Sequence, residues 1–148
     1  MALDRAALAE LLGFRLRRVN QELAREFSRA TGDYGLREGA FTSLATIASN
    51  PGISQGGICR VTGLDKTAAV AVIDDLERRG WVVRARAADD RRRYVLHVAP
   101  AGRRALDDLV GRTREIEDRV LAVLTDTERG RLFATLDKLV DRVLANEP

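Results

Sequence analysis

One stretch decides the fold of this chain: SQGGICRVTGLDKTAAVAVIDDLERRGWVVRARAADDRRRYVLHV, residues 54–98. Ser54 and Asp65 are helix N-cap residues, because a short side-chain oxygen accepts the backbone N–H groups that the first turn leaves unpaired. From Lys66 onward, apolar residues recur every three or four positions. This spacing predicts a helix with one buried face, formed by Ala69, Val72, Ile73 and Leu76. Gly80 ends that helix, because glycine tolerates the positive φ of a C′ position.

Two β-rich runs follow Gly80. They are WVVRARA and RYVLHV, and the charged tip ADDRR between them predicts a β-hairpin. A shorter helix, from Ser54 to about Val61, precedes the long one and is joined to it through Thr62-Gly63-Leu64. Its two adjacent glycines, at 56 and 57, fit either close packing or close approach to a phosphate, and packing is the favoured interpretation. Helix, glycine-containing turn, helix and hairpin is the layout of a winged helix-turn-helix.

Longer helical patterns flank this stretch on both sides. An apolar stripe predicts a first helix from an Asp4 cap to about Arg29, and a second helix is predicted from Leu36 to Ser49. After the hairpin, Pro100 opens a helix at its N1 position, and Thr125 with Glu128 forms a capping box for a last one. That last helix is expected to bury its apolar side, Leu132, Leu136, Leu139, Val140 and Val143.

These elements define the fold class and the domain organisation. The chain is predicted to be mainly α with a small β-hairpin wing, as a single domain over residues 1–148. Residues 1–31 and 101–148 are predicted to be dimerisation helices, because their long apolar stripes exceed what a small domain needs. The DNA-binding lobe is predicted at residues 36–98.

Composition excludes several function classes. The chain has one cysteine and one histidine in 148 residues, which leaves no disulfide framework and no familiar zinc site. No paired carboxylates, nucleophile with a base, or phosphate-cradling loop is evident, so we expect no enzyme activity, no metal and no cofactor. No apolar run approaches the roughly 18 residues of a membrane span, and a single thiol fits a reducing, cytoplasmic location.

The charge of the chain is concentrated in the decisive stretch. The formal net charge is +3, and residues 54–98 hold nine basic and six acidic side chains, which accounts for the whole excess. The remainder of the chain is balanced. This placement favours a polyanion as the partner of the helix-turn-helix and wing.

The chain resembles the MarR (multiple antibiotic resistance regulator) transcription factors. The resemblance is carried by I-DDLERRG at the end of the long helix, by W-VVR after it, and by D-R-R at the wing tip, residues 90–92. Pro-Ala-Gly at residues 100–102 and the layout of the flanking helices extend it over nearly the whole chain. It implies a homodimeric DNA-binding regulator, typically a repressor, that releases a pseudo-palindromic operator when a small effector binds.

The expected DNA contacts fall into three groups. A recognition helix presents its N-terminal residues to the major groove, and its smooth face favours contact with thymine methyl groups. The start of the supporting helix offers phosphate contacts, and the arginines of the wing fit the minor groove and the backbone. By the resemblance, Asp90 orients an arginine of the tip rather than touching DNA. Arg84, which lies on the first wing strand, either fixes the wing or meets a phosphate. The predicted set is Ser54, Gln55, Lys66, Thr67, Ala68, Val70, Ala71, Arg84, Asp90, Arg91, Arg92 and Arg93.

The resemblance also implies an effector pocket between the dimerisation helices and the DNA-binding lobe. An aromatic, anionic or acyl-CoA type of effector would be held by apolar rings and by an arginine. The candidate lining residues are Phe14, Arg15, Arg18, Phe41 and Leu44. Two alternatives stay open: an oxidant-sensing regulator that acts through Cys59, and a protein–protein module that does not bind DNA.

Overall fold

The computed structural model describes residues 6–88, 90 and 92–145. Its helices are α1 (Ala6–Ala9), α2 (Leu12–Ala30), α3 (Ala40–Ser49), α4 (Gln55–Thr62), α5 (Lys66–Arg78), α6 (Pro100–Val120) and α7 (Asp126–Leu144). The strands are β1 (Val82–Arg86) and β2 (Tyr94–Val98), and short 3-10 turns lie at Gly32–Tyr34 and Leu121–Val123. No helix in these ranges is long and apolar enough to cross a membrane.

The chain divides into two compact units. One, here called the terminal unit, comprises Met1–Ala24 and Arg114–Pro148, and the other, the winged unit, comprises Arg25–Thr113. The winged unit contains α3, α4, α5 and the hairpin. The predicted functional boundaries, with dimerisation helices at 1–31 and 101–148 and a lobe at 36–98, stay a prediction.

The core of the winged unit forms where α3 packs against α4, α5 and β2. The four residues predicted as the buried face of α5 are all at most 2% exposed, which confirms the helical period of that stretch. Leu44 and Ile47 from α3, Ile58 from α4 and Leu96 from β2 complete the centre of this core. The apolar period of the sequence therefore places the core correctly.

Local capping agrees with the sequence. The Ser54 hydroxyl accepts the Gly57 N–H at 3.2 Å, and the Asp65 carboxylate accepts the Ala68 N–H at 2.8 Å. Gly80 has a φ of +71°, the left-handed conformation expected of a residue that ends a helix.

The wing is an antiparallel hairpin in which Val82 pairs with Val98 and Arg86 with Tyr94. The sequence did not indicate that β2 is also paired on its other side. Leu96 donates its N–H to the carbonyl of Ile53 at 2.9 Å, and its carbonyl accepts the Gly52 N–H at 3.0 Å. The segment before α4 therefore joins the hairpin to the helix-turn-helix, because it completes hydrogen bonds that a free edge strand would leave open.

Two helix predictions near the N-terminus need correction. The predicted first helix is interrupted, since α1 ends at Ala9 and α2 begins at Leu12; its predicted cap, Asp4, lies outside the described residues. The second helix begins at Ala40, four residues later than predicted. Gly39 has a φ of +80°, and this left-handed residue prevents the helix from extending back to Leu36.

The prediction that α7 buries its apolar side is wrong for the single chain. Leu132, Leu139, Val140 and Val143 are 38%, 42%, 53% and 63% exposed, and Leu136 is half-buried. The helix itself forms as predicted: the Thr125 side chain and the Glu128 side chain cap each other's backbone N–H groups. The apolar stripe thus predicts the helix correctly, but the described part of the chain does not cover the apolar side of that helix.

Candidate nucleic-acid interface

The first turns of α5 present the residues predicted to read DNA. Lys66 and Thr67 are exposed, and Ala68, Val70 and Ala71 are half-buried. Because the buried face of the same helix is fixed in the core, these side chains lie on the opposite, outer side. The first turns of α5 therefore present few kinds of chemical group on their outer side: one cation, one hydroxyl and several methyl groups.

The start of α4 offers few side-chain donors. The Ser54 hydroxyl caps the helix, and Gln55 is half-buried. The two glycines differ: a Cβ at Gly57 would meet Ile53 Cγ1 at 2.6 Å, whereas Gly56 is exposed and a Cβ there would meet only Ser54 Oγ, at 3.9 Å. Close packing thus explains Gly57, as favoured above, and Gly56 leaves the backbone of the first turn accessible.

The wing tip is organised by Asp90. Its carboxylate accepts the backbone N–H of Arg92 at 2.9 Å, and its carbonyl accepts the backbone N–H of Arg93 at 3.0 Å. The Arg92 side chain is 94% exposed, with its Nε 3.5 Å from the Asp90 carboxylate. Arg91 lies outside the described residues. Asp90 therefore shapes the tip through the backbone, and its carboxylate directs Arg92 outward.

Arg84 lies on β1 and contacts the recognition helix. Its Nη1 donates to Glu77 and its Nη2 donates to Asp74, each at 2.5 Å. Of the two roles predicted for Arg84, this geometry corresponds to fixing the wing.

Two further wing residues, Arg86 and Tyr94, make contacts that the sequence did not indicate. The Arg86 guanidinium lies 4.0 Å from the centre of the Tyr94 ring, a distance typical of a cation–π contact. Tyr94 also lines a cleft of about 560 Å³ together with Gln55, Glu77, Arg84 and Leu96. The hairpin register was the available signal, because it makes Arg86 and Tyr94 direct cross-strand partners.

The end of α5 is held by two ion pairs that share the buried carboxylate of Asp75. Asp75 is 5% exposed and accepts from Arg78 at 2.9 Å and from Arg79 Nε at 2.8 Å. Arg79 also donates to the carbonyl of Tyr34 at 2.7 Å and to that of Gly35 at 3.0 Å. Arg79 therefore links the end of α5 to the 3-10 turn at Gly32–Tyr34, and its removal would take away three of these hydrogen bonds.

Trp81 anchors the hairpin. It is half-buried, its ring meets Tyr34 edge-on at 5.5 Å, and the Arg79 guanidinium lies 5.3 Å from it. These contacts hold the start of the hairpin against the 3-10 turn that contains Tyr34.

A polar cluster joins α6 to the 3-10 turn that follows α2. Arg112 donates to the Asp33 carboxylate at 2.8 Å and to the carbonyl of Ala30 at 2.6 Å, and the Tyr34 hydroxyl donates to Asp108 at 2.8 Å. The hydrogen bond from Arg112 lowers the pKa of Asp33 from its ordinary value. The hydrogen bond to Asp108 raises the pKa of Tyr34.

The residues predicted for an effector pocket occupy different parts of the chain. In the terminal unit, Phe14 and Arg18 line a cavity of about 510 Å³, whereas Arg15 donates to the Glu10 carbonyl at 2.7 Å. In the winged unit, the Phe41 ring lies 5.2 Å from that of Phe27, and Leu44 is fully buried in the core. The sequence did not single out the other residues that line the cavity, which are Leu8, Leu11, Gly13, Arg17 and Gln21.

Cys59 is half-buried on α4 and is a free thiol. Within residues 6–88, 90 and 92–145, no three His, Cys, Asp or Glu side chains are arranged to hold a metal ion.

Comparison with known proteins places this geometry in a family. A model of the MarR family matches residues 34–93. A Thauera aromatica protein, described as a transcriptional regulatory protein for the hcr operon, is 37% identical over 134 residues, which are 90% of this chain and 81% of that protein.

Two solved structures are similar along most of the chain. The transcriptional repressor CouR bound to a 23-mer DNA duplex has a TM-score of 0.82 and 30% identity, covering 95% of this chain and 99% of that one. CouR from Rhodococcus jostii RHA1 bound to p-coumaroyl-CoA has a TM-score of 0.75 and 31% identity, covering 90% and 94%. The predicted winged helix-turn-helix is confirmed, and the chain belongs to the MarR family of transcriptional regulators.

Proposed function

We propose that this chain is a homodimeric repressor that binds a pseudo-palindromic operator and releases it when a small aromatic effector binds. The observation that carries the proposal is the combination, in one unit, of an accessible N-terminal face on α5 and an outward-directed arginine at the wing tip. A recognition helix reads the major groove, and arginines of a wing suit the narrow, electronegative minor groove. We further propose that it acts in the cytoplasm, where it meets its operator.

Most of the predicted DNA contacts keep their assignment in this proposal. Lys66 and Thr67 meet phosphates or base edges, and the half-buried alanines and valine of α5 contact thymine methyl groups. Ser54 and Gln55 place the first turn of α4 against the phosphate backbone of the DNA. At the tip, Arg91, Arg92 and Arg93 are proposed to enter the minor groove or neutralise phosphates, with Asp90 holding their loop.

The exposed apolar side chains of the terminal unit support a dimer. Leu12, Leu16 and Val19 on α2 are 54%, 43% and 49% exposed, and α7 exposes a comparable set. Contiguous apolar surface of this kind marks an interface rather than a solvated face. Two reading heads also supply the DNA contact area that one module lacks.

The proposed effector is an aromatic acid or its coenzyme A thioester. The structure of CouR with p-coumaroyl-CoA, a relative 31% identical, supports this ligand class. The cavity lined by Phe14, Arg17 and Arg18 supports it too, because an aromatic ring and guanidinium groups suit an aromatic anion. Phe14, Arg15 and Arg18 remain the proposed effector residues of the terminal unit, and Arg17 joins them. In the winged unit, Leu44 is fully buried in the core and Phe41 packs against Phe27, so the proposal does not extend to them.

DNA binding is tested with the double variant R91A/R92A. The wild-type protein first selects a site from a random-sequence library, and affinity for that duplex is measured by fluorescence anisotropy at several salt concentrations. The variant loses two phosphate neutralisations per protomer and four per dimer, so binding should weaken roughly a thousandfold near physiological salt and the salt slope should fall by about four. The matched control is R103A/R104A, which removes two exposed charges from α6. Equal affinity of R91A/R92A and wild type would refute the proposed role of the wing.

Dimerisation is tested with Val140→Lys. A lysine on the apolar side of α7 should shift the protein to monomer in sedimentation at micromolar concentration, because a buried charge is strongly unfavourable at an apolar interface. Asp141→Lys introduces the same residue on the polar side and should stay dimeric. A wild-type protein that is itself monomeric would contradict the proposal.

The effector is tested by thermal shift with p-coumaroyl-CoA, p-coumarate and coenzyme A. A ligand of the folded state raises Tm, by an amount that grows with its concentration relative to Kd. The expected result is a rise with at least one aromatic ligand, its loss in R17A/R18A, and release of the selected duplex. A rise with coenzyme A alone that equals the rise with the thioester would argue against recognition of the aromatic group.

A further inference from the structure

One arginine of the wing holds two carboxylates of the recognition helix. Arg84 Nη1 donates to Glu77 and Nη2 donates to Asp74, both at 2.5 Å. The two acids are three residues apart on α5, so they are neighbours on its surface. We call Asp74, Glu77 and Arg84 the wing bracket.

The bracket reaches the face that is proposed to read DNA. Asp74 follows Thr67 by seven residues and Val70 by four, and residues at these spacings lie on one side of a helix. Its side chain is 48% exposed. The reading face therefore carries a carboxylate beyond its first two turns, and an uncompensated carboxylate there would repel the phosphates of an approaching duplex.

The surroundings of Arg84 disfavour a contact with a phosphate. Both of its terminal nitrogens donate to carboxylates, and its side chain is only 25% exposed. The bracket as a whole has two negative charges against one positive charge. A phosphate would meet a net negative cluster and would need to displace an existing ion pair.

We propose that Arg84 is a positioning residue, which offsets one of the two negative charges of Asp74 and Glu77 and ties β1 to α5, and that it does not contact DNA. This inference rests on the proposed DNA binding and deepens it. Because β1 leads directly into the wing tip, the tether sets where the tip arginines lie relative to the recognition helix. The same contact reduces the repulsion that the two acids would otherwise exert on phosphates, because it lowers the net charge of the bracket from −2 to −1.

Charge-compensated variants separate this role from a phosphate contact. The variants are R84Q, the all-amide triple D74N/E77Q/R84Q, and R104Q as a control that removes one exposed charge from α6. Affinity for the library-selected duplex and its salt slope are measured by anisotropy, with folding checked by circular dichroism. If R84Q does not fold, the affinity and salt slope of the triple variant are compared directly with those of the wild type, and this comparison decides whether Arg84 contacts a phosphate.

The proposal predicts that R84Q loses about tenfold in affinity, because the net charge of the bracket near the phosphates changes from −1 to −2 and the tether from β1 to α5 is lost. The triple variant should return to within about threefold of wild type with an unchanged salt slope, because no phosphate contact has been removed. R104Q should behave as wild type. A triple variant as weak as R84Q, with a salt slope smaller by about two (one phosphate contact per protomer), would assign Arg84 to a phosphate and overturn the inference.

The failure of the inference and that of the proposed function give different results. A wild-type protein that selects no site and shows no salt-dependent affinity for DNA refutes the proposed DNA binding itself. A wild-type protein that selects a site, combined with a triple variant that stays weak, refutes only the bracket.

Discussion

Gly102, in the first turn of α6, should not tolerate even a methyl group. A Cβ at this position would lie 2.1 Å from the carbonyl oxygen of Trp81, 2.8 Å from its carbonyl carbon and 2.9 Å from its Cα. All three are backbone atoms, so no change of rotamer relieves the overlap. The same carbonyl accepts the Ala99 N–H at 2.9 Å, which fixes it in place.

The size of the effect follows from two opposing contributions. Ordinary carbon–oxygen contacts are about 3.3 Å or longer, so the Cβ would be about 1.2 Å too close. Overpacking costs about 1–3 kcal/mol, and the upper end applies because backbone must move. Alanine recovers about 1 kcal/mol through its helix propensity. The expected loss is about 2 kcal/mol, or about 6 °C in Tm for a domain of this size.

Urea denaturation of G102A at fixed protein concentration measures this loss. The control is G111A on the same helix, where a Cβ would meet nothing within 4 Å. The free energy of unfolding of G111A should rise by about 1 kcal/mol, because only the helix propensity of the residue changes. If G102A proves as stable as wild type or as G111A, then the contact between Gly102 and Trp81 is not as close as described and the reasoning fails.

Three further predictions concern stability. Ser43→Ala should raise the free energy of unfolding by about 1 kcal/mol in urea denaturation, because the Ser43 hydroxyl is fully buried and lacks a hydrogen-bond partner among the described residues; a loss would mean that the hydroxyl is satisfied. Thr125→Ala should lower Tm through a loss of about 1 kcal/mol, because it removes the capping box of α7; an unchanged Tm would show that this helix end does not contribute. Asp33→Asn should flatten the acid limb of the stability–pH profile. Because the folded pKa of Asp33 is lowered, its ion pair with Arg112 stabilises the fold above the ordinary aspartate pKa of about 4, and this stabilisation disappears as pH falls through the lower folded value. An identical profile for D33N and wild type would contradict the ion pair.

Local patterns in the sequence were sufficient to predict the helix-turn-helix and the hairpin. The caps at Ser54, Asp65 and Thr125 and the turn at Gly80 depend on residues no more than three or four positions away, so neighbouring side chains determine them. The buried face of α5 follows from the helical period alone. The first helix shows where this fails, because its apolar stripe continues through the break at residues 10–11.

Only the tertiary structure decided which polar groups meet. Arg112 and Asp33 are 79 residues apart and Arg79 and Tyr34 are 45 apart, and no sequence pattern couples positions at such distances. The choice of Arg84 between a phosphate and the acids of α5 likewise depended on how β1 packs beside that helix. Gly102 could be noticed in the sequence but not explained, because its requirement comes from a carbonyl 21 positions earlier. The sequence by itself determined the elements and the apolar face of the recognition helix through local hydrogen bonding and periodicity, whereas long-range packing determined the ion pairs and close contacts that hold the wing.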